Sequence, residues 1–140
     1  MILAIRISGM VEIPSNFQEG LFRLRLRRKY SAVLVKETRE NLILLKTLRN
    51  QIAYGQIDNE TLKELIAKRG QPADKKMKID ADSIVKQLDK KTLEEVGLKP
   101  FFRLHPPRGG IETKVHFGVR SKAVLGDNGA KINDLVRRML

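Results

Sequence analysis

Apolar residues along the chain change their spacing several times, and each change marks an element. Ile2, Leu3, Ala4, Ile5 and Ile7 form a β-prone run with Arg6 inserted, which reads as a buried strand ending at Ser8-Gly9. Pro14-Ser15 followed by Gln18 has the form of a helix start, with Ser15 as N-cap and Gln18 as its capping-box partner; Phe17, Leu21 and Leu24 then share one helical face. The segment Phe22-Arg23-Leu24-Arg25-Leu26-Arg27 also alternates with period two, as an exposed strand would, but the cap and the preceding helical spacing favour helix. Ala32-Val33-Leu34-Val35 is short and β-branched, and reads as a second buried strand. Thr38 is placed to cap a helix running to about Asn50, with Leu45, Leu48 and Ile52 inward. A third strand is expected from Gln51 to Gln56, ending at a Tyr54-Gly55 turn.

Beyond residue 57 the pattern turns helical and then irregular. Asp58 or Asn59 caps a helix with Leu62, Leu65 and Ile66 on its apolar face, and Gly70 stops it. Lys75-Lys76-Met77-Lys78 reads as a solvated connector, and Ser83–Leu88 and Thr92–Val96 as short helices. From Lys99 to Gly126, prolines and glycines break every regular period, so this stretch reads as an extended arm. Asn133 to Leu140 closes the chain as an amphipathic helix. The element order is therefore β-α-β-α-β over residues 1–57, followed over 58–140 by helical additions, the arm and a C-terminal helix packed on the core, in a single domain.

Composition narrows the class. A chain of 140 residues, 41% hydrophobic, can bury roughly two-thirds of its unfolded surface, so a real core is expected. There is no cysteine, hence no disulfide framework or thiolate metal site, which suits an intracellular protein. No apolar run approaches the length of a membrane span, and the first residues lack the basic-then-apolar order of a signal peptide. Charge is the informative quantity: 28 Lys and Arg against 16 Asp and Glu, a formal +12. Residues 1–57 carry a net +6, residues 58–99 only +1, and residues 100–140 +5. Generic solubility charge would be spread evenly; two basic ends around a near-neutral middle point to a polyanionic partner. The near-neutral middle suits a protein-facing or solvated surface.

Two stretches carry candidate chemistry. Arg23, Arg25, Arg27, Arg28 and Lys29 lie together with no acid in sequence between Glu19 and Glu37. Guanidinium groups match phosphate oxygens in pairs, although Arg stems can equally cover apolar neighbours on a solvated helix. The second stretch begins at Phe101-Phe102-Arg103-Leu104-His105-Pro106-Pro107-Arg108-Gly109-Gly110 and continues through Lys114, Arg120 and Lys122. Tandem prolines stiffen it and the glycine pair lets the backbone approach a partner closely. Phe101 and Leu104 are expected inward, Arg103 and Arg108 outward. His105 and His116 are the only histidines, with Glu112 alone between them, too sparse a set for a metal site or an acid–base pair. Gly126-Asp127-Asn128-Gly129 reads as a turn leading into a helix, because it lacks the Gly-Lys-Ser/Thr of a phosphate loop. With five Phe, two Tyr and no Trp, base stacking on an exposed sheet is not favoured over phosphate contact.

Four stretches together resemble the L-thirty family of large-subunit ribosomal proteins in its longer archaeal form, akin to the eukaryotic L-seven protein. They are Leu21 to Lys36, Lys63 to Gly70, Phe102 to Gly110 and Ile132 to Met139, with weaker support from Asp82-Ser83-Ile84-Val85. The resemblance implies an α+β fold: a β-α-β-α-β core related to ferredoxin-like folds, with a three-stranded sheet covered by helices, plus the helical extension and the basic arm. It also implies helix from Leu21 to Lys29. The implied role is to bind and stabilise large-subunit rRNA, with the 5S rRNA region nearby, in the cytoplasmic ribosome beside neighbouring ribosomal proteins; phosphate contact is the expectation from the charge pattern. No cofactor, membrane or small-molecule substrate is implied, and no enzymatic activity. From the residues themselves, the RNA contacts are Arg23, Arg25, Arg27, Arg28, Lys29, Arg103, His105, Arg108, Lys114, Arg120 and Lys122. Two rival readings are a DNA- or transfer-RNA-binding protein outside the ribosome, and a small RNA-processing enzyme using His105 and His116.

Overall fold

The first strand, β1 (Ile2–Arg6), is buried along its whole length because helices cover both faces of the sheet through whose middle it runs. The computed structural model describes every residue except Met10, Glu12 and Met77, and the side chain of Thr113. Successive strand residues point to opposite faces, so the apolar run of β1 feeds two cores. Ile2 and Ala4 pack with Leu21, Leu45 and Leu48 from α1 (Ser15–Arg23) and α2 (Arg39–Thr47). Leu3, Ile5 and Ile7 pack on the other side with Leu65, Ile84 and Ile132, from α3 (Asn59–Arg69), α4 (Ala81–Leu88) and α6 (Ile132–Met139). Each fully buried Leu or Ile contributes about 1.5–3 kcal/mol over an exposed one. Both helical layers are thus needed to cover the apolar surface of this sheet.

β1 is flanked antiparallel by β2 (Ser31–Val35) and β3 (Ile52–Gln56), with Ala4 opposite both Val33 and Tyr54. This is the expected β-α-β-α-β core, and the α+β class holds. The sheet is larger than the expected three strands. β4 (Phe102–Arg103) adds antiparallel to the outer side of β2; β6 (Ala123–Asp127) runs parallel to β3, and β5 (Glu112–His116) parallel to β6. The order is β4-β2-β1-β3-β6-β5. Residues 99–126, expected as an irregular arm, therefore contain three short strands. Their period is hidden because β4 is two residues long and β5 carries a Lys and a His among its five residues.

Two of the expected caps form, one does not, and Thr92 supplies a further one. Thr38 accepts from the Asn41 N–H at 3.3 Å, Asp58 rather than Asn59 accepts from the Thr61 N–H at 2.7 Å, and Thr92 forms a capping box with Glu95 ahead of α5 (Leu93–Val96). Ser15 is not a cap. Pro14 occupies that position with extended backbone, its carbonyl accepts from the Gln18 N–H at 3.0 Å, and Ser15 becomes the first helical residue. α2 closes at Thr47, short of the expected Asn50, because Leu48 is already turning into β3. α4 begins two residues ahead of the expected Ser83. In the connector, Lys75, Lys76 and Lys78 are exposed, while Met77 lies outside the described residues. Tyr54 and Gly55, expected as a turn, lie inside β3.

Candidate RNA interface

The helix expected from Leu21 to Lys29 stops at Arg23. The Arg25 N–H donates to the Phe22 carbonyl and the Leu26 N–H to the Leu21 carbonyl, both at 2.9 Å, with Arg25 in the left-handed region at φ 63°. That is the double closure of a Schellman motif, with Arg where Gly is usual. Packing explains the choice. On a continued helix Leu26 would sit about 140° around the axis from Leu21 and point away from the core; the turn brings it back, and both leucines are fully buried together. Arg25, Arg27, Arg28 and Lys29 are consequently residues of an exposed loop, not of a helix face.

Arg6 fixes the shape of that loop. It is fully buried on the face that holds Ile2 and Ala4, and its guanidinium donates to the carbonyls of Leu26 at 2.8 Å, Gly9 at 3.0 Å and Ser8 at 3.1 Å. Its own carbonyl accepts from the Tyr30 N–H at 2.7 Å, and Tyr30 is the other residue here with positive φ. Burial pushes the Arg6 guanidinium below the ordinary arginine pKa, and among the described residues no carboxylate pairs with it. Both ends of the basic loop are therefore tied to one strand residue.

β4 brings the second basic stretch to the first. Ser31 lies opposite Arg103, and the Leu104 N–H donates to the Tyr30 carbonyl at 3.0 Å. Phe102 is fully buried, so Arg103, its neighbour in the strand, points outward, 5.6 Å from the centre of the Phe101 ring. Together, Arg23, Arg25, Arg27, Arg28 and Arg103 line one open cleft of about 510 Å³, with Phe22 and Phe101 among them. Acids reach two of these in space that are distant or overlooked in sequence. Glu19 pairs with Arg23 at 3.2 Å and Glu94, at the start of α5, pairs with Arg25. Among the described residues no carboxylate pairs with Arg27, Arg28, Lys29 or Arg103. Lys29 lies 5.1 Å from the centre of the Tyr30 ring.

The remaining basic positions gather elsewhere. The His105 N–H donates to the Met139 carbonyl at 2.9 Å and the Arg108 N–H to the Arg138 carbonyl at 3.1 Å, which lays the arm along α6. Arg138 returns the contact, Nε to the Arg108 carbonyl at 2.8 Å and Nη2 to the Gly110 carbonyl. Lys122 Nζ donates to the Gly109 carbonyl at 2.9 Å, and Arg120 pairs with Glu112 at 3.4 Å. Lys114 stands exposed on β5. β4 and β5 are the opposite edges of the sheet, about 24 Å apart for six strands at about 4.8 Å spacing. Arg103 and Lys114 thus belong to separate surfaces. Among the described residues no group of three or more His, Asp or Glu side chains is placed to hold a metal ion, and no helix is long and apolar enough to cross a membrane.

The chain matches no protein-family model. Whole-chain likeness decides its family. A protein of Aeropyrum pernix named large ribosomal subunit protein uL30 is 37% identical over 153 residues, covering 97% of this chain and 96% of its own. Its namesake in Methanobrevibacter smithii is 34% identical over 154 residues and covers the whole of both chains. The chain belongs to the uL30 family. Another uL30 protein, from Thermofilum pendens, is 36% identical over 152 residues, 99% of this chain and 97% of its own.

Sequence reading of this uL30 chain missed Arg6, Phe22, Glu94 and Arg138. Arg6 did carry a signal: it is the one charge in an otherwise apolar run, in phase with Ile2 and Ala4, and so faces a core. Phe22 and Arg138 carried none beyond helical spacing, and Glu94 reaches Arg25 only through the fold.

Proposed function

We propose that this uL30 protein is a structural, non-enzymatic constituent of the large subunit of the cytoplasmic ribosome and that it binds large-subunit rRNA by phosphate contacts at two surfaces. The observation that carries the reading is the cleft where the 25–29 loop and Arg103 meet, in which Arg27, Arg28 and Arg103 lack carboxylate partners among the described residues. Guanidinium groups so left are available for bidentate phosphate contact, and backbone contacts of this kind position a protein without reading sequence. The second surface is the arm along α6 and β5, with His105, Arg108, Lys114, Arg120 and Lys122. The arm leads from His105, two residues past β4, to Lys114 on β5 at the opposite sheet edge, a span that suits the bridging of two RNA segments. The 5S rRNA region enters this proposal from the family resemblance, as do neighbouring ribosomal proteins.

Residues 1–57 and 58–140 act in this reading as one domain, since α3, α4 and α6 cover the face of β1 that α1 and α2 leave bare.

The test is salt dependence. Combined Arg27→Ala, Arg28→Ala and Arg103→Ala substitution should reduce the slope of log affinity against log salt on large-subunit rRNA fragments by about 2–3, with little change in thermal stability. An unchanged slope defeats the assignment of phosphate contacts to this cleft. Co-sedimentation with large subunits after a high-salt wash separates the ribosomal reading from that of a free DNA- or transfer-RNA-binding protein, which would be washed away.

A further inference from the structure

The Arg103 cleft contains something a phosphate clamp does not need. Phe22 is 41% exposed at the end of α1, on the rim of the cleft, where a fully aliphatic or polar residue would serve phosphate binding as well. Its neighbour across the cleft, Phe101, is half-buried and already lies beside the Arg103 guanidinium. No cation among the described residues stacks on the Phe22 ring, so its face is open. Its backbone is also fixed, because the Phe22 carbonyl accepts the Arg25 N–H in the turn that ends the helix. An exposed aromatic ring on a fixed backbone, in a cleft lined by guanidinium groups, presents a π-face and anion-binding donors together. The ligand chemistry that satisfies both at once is a nucleotide whose base is unpaired, since a base within a duplex offers no free face.

We infer that the cleft takes one unpaired nucleotide of the bound RNA, its base stacked on Phe22 and its adjoining phosphates held by Arg27, Arg28 and Arg103. This rests on the RNA-binding reading and sharpens it, since it names a bulged or looped-out nucleotide rather than a helix backbone as the group recognised.

The chain has no tryptophan, so Phe22→Trp installs a single indole reporter at the site. The probes are a short single-stranded oligoadenylate, an abasic ribose-phosphate oligomer of equal length and charge, and a large-subunit rRNA fragment. Oligoadenylate should quench the indole emission saturably and the abasic oligomer should not. In the otherwise unmodified chain, Phe22→Ala and Phe22→Leu should each weaken oligoadenylate binding on the order of tenfold while leaving abasic binding unchanged, and Phe22→Tyr should restore the difference. Equal binding of the two oligomers by the unmodified protein overturns the base-stacking inference and leaves the phosphate clamp standing. Binding of the rRNA fragment without binding of either oligomer overturns it as well. Failure of all three probes to bind removes the RNA-binding reading itself.

Discussion

The Nη1 of Arg6 donates to the carbonyl of Leu26 at 2.8 Å, both groups buried, and this bond ties the first end of the loop that carries the unpaired arginines to the central strand, as the Tyr30 N–H to Arg6 carbonyl bond ties the other. Three carbonyls satisfy the Arg6 guanidinium, and among the described residues no other group donates to them. Arg6→Met keeps the apolar stem but strands those carbonyls, and should cost about 2–4 kcal/mol in urea unfolding. The loop would lose its anchor while keeping every exposed charge. RNA affinity should therefore fall at a temperature where the variant is folded, while the salt slope stays nearly the same. A variant that loses stability but keeps full affinity would show that the loop holds its shape without Arg6.

Gly55 meets α6 so closely that no side chain fits. A Cβ there would stand 2.3 Å from the Gly129 carbonyl oxygen and 2.9 Å from the Ile132 Cβ. Both obstacles are backbone or backbone-near atoms, so β3 and the turn leading to α6 would have to separate. Gly55→Ala should destabilise by about 1–3 kcal/mol, read as a lowered midpoint in urea. Gly9→Ala, where nothing among the described residues lies within 4 Å, is the matched control and should be close to neutral.

These two residues also show what was legible beforehand. The β-α-β-α-β order, the Thr38 cap, the Gly70 stop and the closing amphipathic helix all rest on local signals, and local signals are enough for them. Gly55 looks like a turn in sequence, because what requires glycine there is Gly129, more than seventy residues away. The basic segment looks helical in sequence because Phe17, Leu21 and Leu24 obey a helical period that Leu26 then breaks for the sake of the core. For the candidate site, the residue types were visible and their company was not. Arg103 joins Arg27 and Arg28 only because β4 pairs with β2, and a two-residue strand leaves no period to read.

Glu94 sets how many of the cleft's charges are free. Its ion pair with Arg25 has both side chains about half exposed, so it contributes little to stability. Glu94→Gln should leave the melting temperature nearly unchanged. It should also release Arg25 for phosphate contact, raising RNA affinity at low salt and steepening the log–log salt slope by up to about one. No change in slope would mean that Arg25 faces no phosphate.

Asp58 links stability to acid pH. Hydrogen bonding from Thr61 is the main reason its carboxyl lies below the usual aspartate value, with Arg137 adding a smaller push in the same direction against the effect of burial. A depressed folded pKa means that the cap stabilises fully above the unfolded value, about 3.9, and that this contribution disappears as pH falls through the folded value. Asp58→Asn keeps an acceptor oxygen and does not titrate. The stability difference between the two proteins should be flat from neutral pH down to about 4 and should then shift against the wild type. Asp58→Ala should cost about 1 kcal/mol at neutral pH. A difference that stays flat through the acid limb would mean that the Asp58 carboxyl does not differ between folded and unfolded chains.

Arg138 straps the proline-stiffened arm to α6. Its side chain and carbonyl together make three bonds with Arg108 and Gly110, and the Lys122 contact to Gly109 falls between them. These bonds are solvent-exposed, so each adds only about 0.5–1.5 kcal/mol, but they act on the same few residues. Arg138→Met should therefore leave global unfolding little changed and loosen the arm locally. Amide exchange at Arg108 and Gly110 should speed up on the order of tenfold, and cleavage by an arginine-specific protease should move to Arg108. The arm of the unmodified protein, held by backbone bonds to Met139 and Arg138 on α6, should be protected without RNA present. If its amides exchange at the same rapid rate in both proteins, the arm is ordered by its partner instead, and Arg108 and Lys122 meet RNA from a mobile chain.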